Sequence, residues 1–221
     1  MTRLCSGLFV TGTDTGVGKT RVAVALIRGL ARDGKRVAAM KPVAAGAVRE
    51  PEGLRNDDAL QLAAAANVAA PYERVNPYCL AEPVSPHIAA EAAGIEIDPA
   101  VIRREFDQMA ASSDCVVVEG AGGWLAPIGG SRTMEAVALA LDLPVVLVVG
   151  LRLGCLNHAL LTAQAVRASG LELAHWVANA IEPQFERAAE NVARLSAVLG
   201  PPLAIVPNSL HSVDIAIPVS L

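Results

Sequence analysis

The chain has 221 residues, with 18 basic and 22 acidic side chains and a formal net charge of −4. Hydrophobic residues make up 53% of it and charged residues 18%, which excludes a disordered chain and predicts one domain, residues 1–221, with a sizeable core. Since there is no basic excess and only 3% of residues are aromatic, the composition argues against nucleic-acid binding. The longest strongly apolar run, Leu143 to Leu151, is far shorter than the roughly 20 residues that span a bilayer, so we expect no membrane partner.

The four cysteines are widely separated, and no two of them form a C-x-x-C pair. This usage favours a reduced, cytoplasmic protein over one with disulfides or a metal–thiolate site. The apolar run that ends at Val10 is too short for the core of a signal peptide. Cys155 lies where a helix N-terminus would lower the pKa of its thiol, although small buried side chains are expected at all four positions.

Short apolar runs alternate with longer helical stretches along the chain. In chain order, the patterns predict strand Gly7–Thr11, helix Thr20–Arg32, strand Arg36–Met40, helix Asp58–Ala66, helix Asp98–Ala111 with Asp98 as its N-cap, strand Asp114–Glu119, strand Pro144–Val149, helix Leu156–Ala168, strand His175–Ala178, helix Gln184–Leu199 and strand Leu203–Val206. This alternation predicts an α/β fold with a mostly parallel sheet and helices on both faces. The span from Ala45 to Pro86 is expected to lie outside the sheet as loops and a short helix.

A glycine-rich segment follows the first predicted strand and opens the first predicted helix: Gly12-Thr-Asp-Thr-Gly-Val-Gly-Lys-Thr20. This is the context that a phosphate-binding loop (P-loop) requires. Glycines let backbone amides turn toward phosphate oxygens, and a helix N-terminus favours negative charge. Lys19 supplies a cation for the β- and γ-phosphates, and the Thr20 hydroxyl is a candidate Mg²⁺ ligand. Five residues separate Gly12 from Gly18, whereas the common pattern has four.

Other candidate groups follow predicted strands and therefore lie at the same edge of the sheet, where open parallel sheets bind ligands. Glu119 ends a buried strand and is either a second Mg²⁺ ligand or a capping carboxylate, and Lys41 either stabilises a transferred phosphoryl group or is a solvated lysine. The run Asn56-Asp57-Asp58 offers a carboxylate to the metal or only caps a helix. Gly154-Cys-Leu-Asn-His158 begins a helix after a strand, where it could hold an anion such as a carboxylate.

Taken together, these motifs resemble the dethiobiotin synthetases of biotin biosynthesis. The resemblance rests on the P-loop, on Lys41-Pro-Val43, Asn56-Asp-Asp-Ala59, Val118-Glu-Gly-Ala-Gly-Gly123, Leu153-Gly-Cys-Leu-Asn-His158 and Trp176-Val-Ala-Asn179. It is dense over residues 7–180, and the five-residue spacing in the P-loop is the form found in this family.

The resemblance implies an ATP- and Mg²⁺-dependent ring closure of 7,8-diaminononanoate with CO₂ to dethiobiotin, ADP and phosphate, through a carbamate and its mixed anhydride with phosphate. It implies a homodimer in which the substrate site is shared across the interface. The roles it implies are catalysis by Lys41, Lys19 and Thr15; Mg²⁺ ligation by Thr20, Asp58 and Glu119; nucleotide binding by Gly16, Val17, Gly18, Lys19, Thr20, Gly120, Ala121 and Gly122, with Asn179, Pro207, Asn208 and Ser209 at the base; and binding of the substrate carboxylate by Leu153, Gly154, Cys155 and Asn157 of the neighbouring subunit.

The sequence departs from the family pattern in two places, and three other classes of protein are alternatives. Ala45 stands where the family usually carries Ser or Thr, and the tail after Asn208 has no clear counterpart, which leaves nucleotide preference open. A partition-type ATPase would carry an additional lysine near the start of its P-loop, where Asp14 stands here. A cobyrinate-type amide synthetase normally brings a glutaminase domain, for which this chain is too short. A catalytically silent nucleotide-binding regulator is supported only by Ala45.

Overall fold

A computed structural model of the chain describes residues 7–208 and 215–216, so Ser209 lies outside the described residues. Within them the elements are, in order, β1 (Gly7–Gly12), α1 (Lys19–Arg32), β2 (Val37–Met40), β3 (Val43–Ala44), β4 (Val48–Glu50), β5 (Gly53–Arg55), α2 (Asp57–Ala65), α3 (Tyr72–Val75), β6 (Tyr78–Cys79), α4 (Pro86–Ala92), α5 (Pro99–Ala110), β7 (Cys115–Glu119), β8 (Pro127–Gly129), β9 (Arg132–Thr133), α6 (Met134–Leu141), β10 (Val145–Leu151), α7 (Cys155–Ala168), β11 (Leu173–Ala180), α8 (Ala188–Leu199) and β12 (Ala204–Val206). Among these helices, none is both long and apolar enough to cross a bilayer.

Six strands form one central sheet in the order β12-β11-β10-β1-β7-β2, and every neighbouring pair is parallel. The middle strand β1 pairs Phe9 with Val118 of β7 on one side and with Val145 of β10 on the other. Because all six strands run the same way, their carboxyl ends meet at one edge of the sheet. The predicted parallel α/β fold is confirmed, and this edge is where such sheets bind ligands.

Alternate residues of the buried strands face opposite sides of the sheet, as the period of a β-strand requires. Leu8 and Val10 pack with apolar residues of α1 and α2 on one face. Phe9 and Val118 pack with α5 and α6 on the other face, and Leu147 packs there with α7 and α8. The sheet is therefore covered by helices on both faces, which explains why its strands read as continuous apolar runs.

The predicted elements agree with the structure to within two residues at each end, except at the start of α8. Asp98 caps α5 as predicted, because its carboxylate accepts the backbone N–H of Ala100 at 2.9 Å. The prediction that a helix begins at Gln184 is wrong: α8 begins at Ala188, after Arg187 adopts a left-handed φ of 61° that breaks the helical path.

The span from Ala45 to Pro86 does lie outside the central sheet, but the expectation of loops and one short helix understates its structure. It contains α2, α3, the antiparallel pair β4–β5, and β6, which pairs with β3. The helices α4 and α6 were not predicted. In α6 almost every residue is apolar, so the segment lacks the alternation of apolar and polar positions from which an amphipathic helix is recognised.

Candidate active site

The P-loop connects the end of β1 to the start of α1 at the carboxyl edge of the sheet. Gly16 and Gly18 adopt left-handed φ angles of 74° and 86°, which only glycine adopts without strain. Gly18 is the N-cap of α1 and has no side chain to cap it, so the free N–H groups of the first turn are left for an anion. The loop is held to its neighbour strand because Thr13 donates its N–H to Val148 of β10 at 3.0 Å.

Lys19 is 7% exposed, and its ammonium donates to the backbone carbonyl of Asp14 at 2.9 Å. Burial, together with the positive charge of Lys41, lowers the pKa of Lys19 to about 8. The Asp14 carboxylate accepts the N–H of Thr15 at 2.7 Å and forms an ion pair with Arg152 at 2.5 Å. The hydrogen bond from Thr15 is the main reason why the pKa of Asp14 is lowered, and Arg152 adds to it.

Lys41 follows β2 and reaches across the end of β7, the adjacent strand. Its Nζ lies 2.5 Å from Oε1 of Glu119 and 3.0 Å from Oδ2 of Asp58, and the side chain is 5% exposed. Thr20 donates its hydroxyl to the same Oε1 atom at 3.0 Å. Burial alone would lower the pKa of Lys41, but the two carboxylates outweigh it and raise this pKa, so the ammonium stays charged. Lys41 is thus a buried, paired cation and not a solvated lysine.

Glu119 is completely buried at the end of β7. Burial raises the pKa of its carboxyl group, against the opposing effect of Lys41. Its second oxygen, Oε2, has no hydrogen-bond partner among the residues that the structure describes. A buried carboxylate oxygen without a donor is costly unless a ligand satisfies it, so this atom fits a cation. The neighbouring oxygens of Thr20 and Asp58 are the hard ligands that Mg²⁺ prefers.

The run Asn56-Asp57-Asp58 caps a helix and also places a carboxylate in the site. Asn56 caps α2, because its Oδ1 accepts the N–H of Ala59 at 3.2 Å. Asp57 accepts the side-chain amide of Gln61 on the outer surface at 2.7 Å. Asp58 faces the site, where Lys41 outweighs the effect of burial and lowers the pKa of the carboxyl group. The capping residue therefore positions the carboxylate that stands two residues later.

A cleft of about 840 Å³ opens over these groups. Its walls include Ala45, which confirms that the departure from the family pattern lies in the site itself. The segment Pro83–Pro86 also lines the cleft and was not predicted. The sequence signal for this segment is the pair of prolines, Pro83 and Pro86, because prolines this close together indicate a rigid loop. The lining residues are Asp14, Thr15, Gly16, Gly18, Lys19, Thr20, Lys41, Ala44, Ala45, Asn56, Asp58, Pro83, Val84, Ser85, Pro86, Glu119, Ala121, Gly122, Gly123, Ala126 and Pro127.

Asn179 lies behind the P-loop at the end of β11 and does not line this cleft. Its amide nitrogen donates to the carbonyl of Val17 at 2.8 Å, and a Cβ atom on Gly18 would approach that nitrogen to 2.1 Å. Its Oδ1 is buried and has no partner within the described part of the chain. Pro207 and Asn208 are exposed, and Asn208 donates to the carbonyl of Ile181 at 3.1 Å, close to the end of β11.

The structure does not bring the predicted substrate-binding residues Leu153, Gly154, Cys155 and Asn157 to the cleft. Leu153 is 91% exposed and Asn157 is also exposed, at the start of α7. Gly154 is the N-cap of that helix, with a φ of 92°. Cys155 is the first residue of that helix and is 1% exposed, so the expected buried side chain is confirmed at this position. The segment nevertheless begins next to the cleft, because Arg152 directly before it pairs with Asp14.

The fold and the site define a nucleotide-binding protein with a P-loop at the end of a central parallel strand. The family model described as an AAA domain matches residues 6–214. Among solved structures, the MinC:MinD cell division protein complex of Aquifex aeolicus is similar in fold, with a TM-score of 0.55, 16% identity, and coverage of 92% of this chain and 81% of the other.

Two curated relatives are much closer in sequence. The ATP-dependent dethiobiotin synthetase BioD of Aromatoleum aromaticum is 50% identical over 90% of this chain and 89% of its own length. The protein of the same name from Nitrosospira multiformis is 53% identical over 89% of this chain and 85% of its own length. The chain belongs to the dethiobiotin synthetase family, and it is an ATP-dependent ligase. The resemblance of the motifs is confirmed, and this membership favours a dethiobiotin synthetase over the three alternative classes.

Proposed function

We propose that the enzyme closes the urea ring of dethiobiotin from 7,8-diaminononanoate, CO₂ and ATP. One amine of the substrate captures CO₂ as a carbamate, and a carbamate oxygen attacks the γ-phosphorus of ATP while the bond to ADP breaks. The second amine then attacks the carbonyl carbon of the mixed anhydride, forms the second C–N bond and displaces phosphate. The attacking groups all belong to the substrates, so the protein has to supply orientation and positive charge and needs no nucleophile of its own.

The observation that carries this proposal is the buried ammonium of Lys41 beside the P-loop. It lies in the same cleft as Lys19, Thr15 and the amides at the start of α1. Negative charge accumulates on the carbamate and on the transferred phosphoryl group, and fixed cations in a partly water-excluded site stabilise such charge strongly. Gly122 lines the cleft beside the loop with a φ of 64°, and a Cβ atom there would approach the Cβ of Ala126 to 2.9 Å. Lys41 is therefore assigned to the carbamate and the γ-phosphate.

We assign the Mg²⁺ site to Thr20, Asp58 and Glu119. The Oε2 atom of Glu119, which has no partner among the described residues, supports this assignment, as does the 3.0 Å contact of Thr20 with Glu119. Asp58 lies close by, because it and Glu119 both contact Lys41. The described residues hold no cluster of three or more His, Cys, Asp or Glu side chains that would make an all-protein cage. That suits Mg²⁺, which is usually bound by one or two carboxylates together with substrate phosphates and water. When bound, the ion supplies neutralising charge to those phosphates.

The nucleotide base is assigned to the ends of β11 and β12. The buried Oδ1 of Asn179 would accept an exocyclic N–H of adenine, and the Nδ2 group of the same residue is already held by Val17. Asn208 donates to the carbonyl of Ile181, two residues after Asn179, which supports a base pocket that also includes Pro207. Gly120 and Ala121 follow Glu119 at the end of β7, beside the strand β1 that leads into the P-loop, and they are also assigned to nucleotide binding.

The substrate carboxylate is assigned to the start of α7 in a second subunit of a homodimer. The segment does not line its own cleft, and large apolar side chains are exposed on it, with Leu153 at 91% and Leu161 at 57% exposure. Exposed apolar groups of this kind suit a subunit interface. The free N–H groups at a helix N-terminus suit a carboxylate.

The cysteines that the structure describes, Cys79, Cys115 and Cys155, are free thiols, in keeping with the proposed cytoplasmic location.

The reaction is tested directly by mass spectrometry. The enzyme is incubated with ATP, Mg²⁺, ¹³C-bicarbonate and diaminononanoate, and the product is expected to be dethiobiotin that carries one ¹³C atom in its urea carbon. The control reactions omit ATP or bicarbonate and should form no product. Hydrolysis of ATP without labelled dethiobiotin would contradict the proposed reaction while leaving the ATPase site intact.

The shared site is tested by mixing two variants that are each nearly inactive at low diaminononanoate concentration. Asn157→Ala is expected to weaken diaminononanoate binding without changing nucleotide binding, because it lies outside the cleft of its own subunit. Lys19→Ala damages the P-loop. A mixed dimer combines both lesions in one active site and leaves the other intact, so random exchange should restore about a quarter of the normal activity.

The same mixing experiment needs proof that subunits have exchanged, which differently tagged chains and native mass spectrometry provide. If exchange is complete and no activity returns, the carboxylate site is not shared. If Asn157→Ala lowers thermal stability and leaves the KM for diaminononanoate unchanged, Asn157 only stabilises its own helix.

A further inference from the structure

Two residues of the site, Lys41 and Asp58, lie on different segments of the chain. Lys41 follows β2, whereas Asp58 belongs to the first turn of α2. A chain of hydrogen bonds through α3 joins these segments. The Tyr72 hydroxyl accepts the backbone N–H of Asn56 at 2.7 Å and donates to Oδ1 of Asn76 at 3.2 Å. The Asn76 amide nitrogen in turn donates to the backbone carbonyl of Lys41 at 2.6 Å.

The two asparagines in this chain of hydrogen bonds are buried. Two longer contacts accompany it, between the Tyr72 hydroxyl and the Cys79 sulfur at 3.6 Å and from the Asn76 amide nitrogen to the carbonyl of Tyr78 at 3.4 Å. Asn76 is 2% exposed, and Asn56 is 8% exposed and caps the helix that carries Asp58. A second link runs beside the first, because the N–H of Lys41 donates to the carbonyl of Val75 at 2.8 Å. The Tyr72 ring is covered by the guanidinium of Arg55 at 4.2 Å, which holds the ring in place. Burial raises the pKa of the Tyr72 hydroxyl, so this group remains a donor at any physiological pH.

We propose that Tyr72 is a positioning residue whose hydroxyl sets the distance between Lys41 and Asp58. It holds the backbone of the N-cap residue of α2 and, through Asn76, the backbone of Lys41. The proposal rests on the roles given above to Lys41 and Asp58. Without the hydroxyl, the N–H of Asn56 loses its acceptor and Oδ1 of Asn76 loses its donor. The first turn of α2 then becomes free to move relative to β2, and Asp58 moves with it.

The test is Tyr72→Phe, which keeps the ring and its contact with Arg55 and removes only the hydroxyl. We expect kcat to fall by roughly tenfold, less than the ~10²-fold that a displacement of 1 Å in a reacting group can cost. We also expect the Mg²⁺ concentration for half-maximal activity to rise. Affinity for ADP without metal should stay unchanged, because the P-loop is untouched, whereas affinity for ADP with Mg²⁺ should fall when both are measured by calorimetry.

Tyr78→Phe is the matched control. The Tyr78 hydroxyl also accepts a backbone N–H at the start of a helix, that of Asp98 at 2.9 Å, but helix α5 carries no residue of the cleft. Both variants therefore lose one hydroxyl and its hydrogen bond with the backbone N–H of an N-cap residue. A similar small fall in thermal stability is expected for both, and a change in Mg²⁺ dependence is expected only for Tyr72→Phe.

Each outcome decides the matter. A change in kcat and Mg²⁺ dependence confined to Tyr72→Phe supports the positioning role. Equal behaviour of the two variants, with only stability affected, overturns it and leaves Tyr72 with a purely structural role. If the unchanged enzyme forms no dethiobiotin, the proposed function fails, yet the calorimetry still answers this question. Weaker binding of Mg²⁺ with ADP in Tyr72→Phe alone would then support the inference, and unchanged binding would overturn it.

Discussion

Replacing Lys41 by methionine is expected to slow dethiobiotin formation by at least about 10²-fold, because a fixed cation is removed from the developing phosphoryl charge. It is also expected to lower the free energy of unfolding by about 3–5 kcal/mol, since the buried carboxylate of Glu119 loses its closest partner. Initial rates at saturating substrate and denaturant titrations measure the two effects. Turnover close to that of the unchanged enzyme would contradict the role assigned to Lys41.

The loss of stability in this variant should depend on pH with a definite sign. Burial raises the pKa of Glu119 in the folded protein above its value in the unfolded chain, and without Lys41 nothing as close opposes this effect. The folded variant then binds more protons than the unfolded chain in the interval between these two pKa values. Its stability should therefore fall as pH rises through the folded-state pKa and return as pH is lowered. The double variant Lys41→Met with Glu119→Gln is the control, which should regain stability without regaining activity.

Replacing Lys19 by methionine is the second change with a large expected effect. It should also slow the reaction by about 10²-fold or more, through loss of charge at the β- and γ-phosphates. Stability should behave differently from that of Lys41→Met. Lys19 makes its hydrogen bond to a backbone carbonyl, and burial disfavours its charge, so its removal should not destabilise the fold at neutral pH. Steady-state kinetics and thermal unfolding at pH 7 distinguish the two lysines.

The pKa of about 8 for Lys19 supplies a further readout. In the unchanged enzyme the lysine is charged below this pH, and ATP affinity should weaken as pH rises through about 8. The folded-state pKa is depressed below the unfolded value, so the free energy of unfolding should rise between pH 8 and the unfolded pKa, where the unfolded chain binds the extra proton. Both trends should be absent in Lys19→Met. Their persistence would show that another group titrates in this range.

The strands and most helices could be predicted from local patterns, but the order of the strands could not. The runs ending at Gly12, Met40 and Glu119 are each recognisable by themselves. That β7 lies between β1 and β2 is a property of distant pairings, which a local pattern does not contain. Gly18 shows the same contrast: its place in the P-loop motif was evident, whereas its close approach to Asn179 emerged only from the fold.

The candidate site divides in the same way. Phosphate and metal sites require restricted side-chain chemistry and spacing, so it could be predicted from the sequence that Lys19, Thr20 and Glu119 line the candidate site. Residues that hold these groups in place bond to backbone atoms. Many types of side chain can form such a bond, so no sequence pattern identifies them. Tyr72 gave no signal because its hydroxyl bonds to a backbone N–H sixteen residues earlier in the chain. The ion pair of Asp14 with Arg152 joins two loops separated by most of the chain and was equally invisible.

The position of β1 in the middle of the sheet has a consequence for the order in which the protein forms. Residues 7–12 leave the ribosome early, but their partner strands are residues 115–119 and 145–151. The P-loop is held by Val148 of the later strand. Such non-local pairing gives a high contact order and slow folding, because the entropy of closing long loops is lost before the strand pairing contributes any stabilisation. A nascent chain that ends before β10 would carry the whole P-loop motif and still lack the strand that holds it, so nucleotide binding arises only when most of the chain has been made.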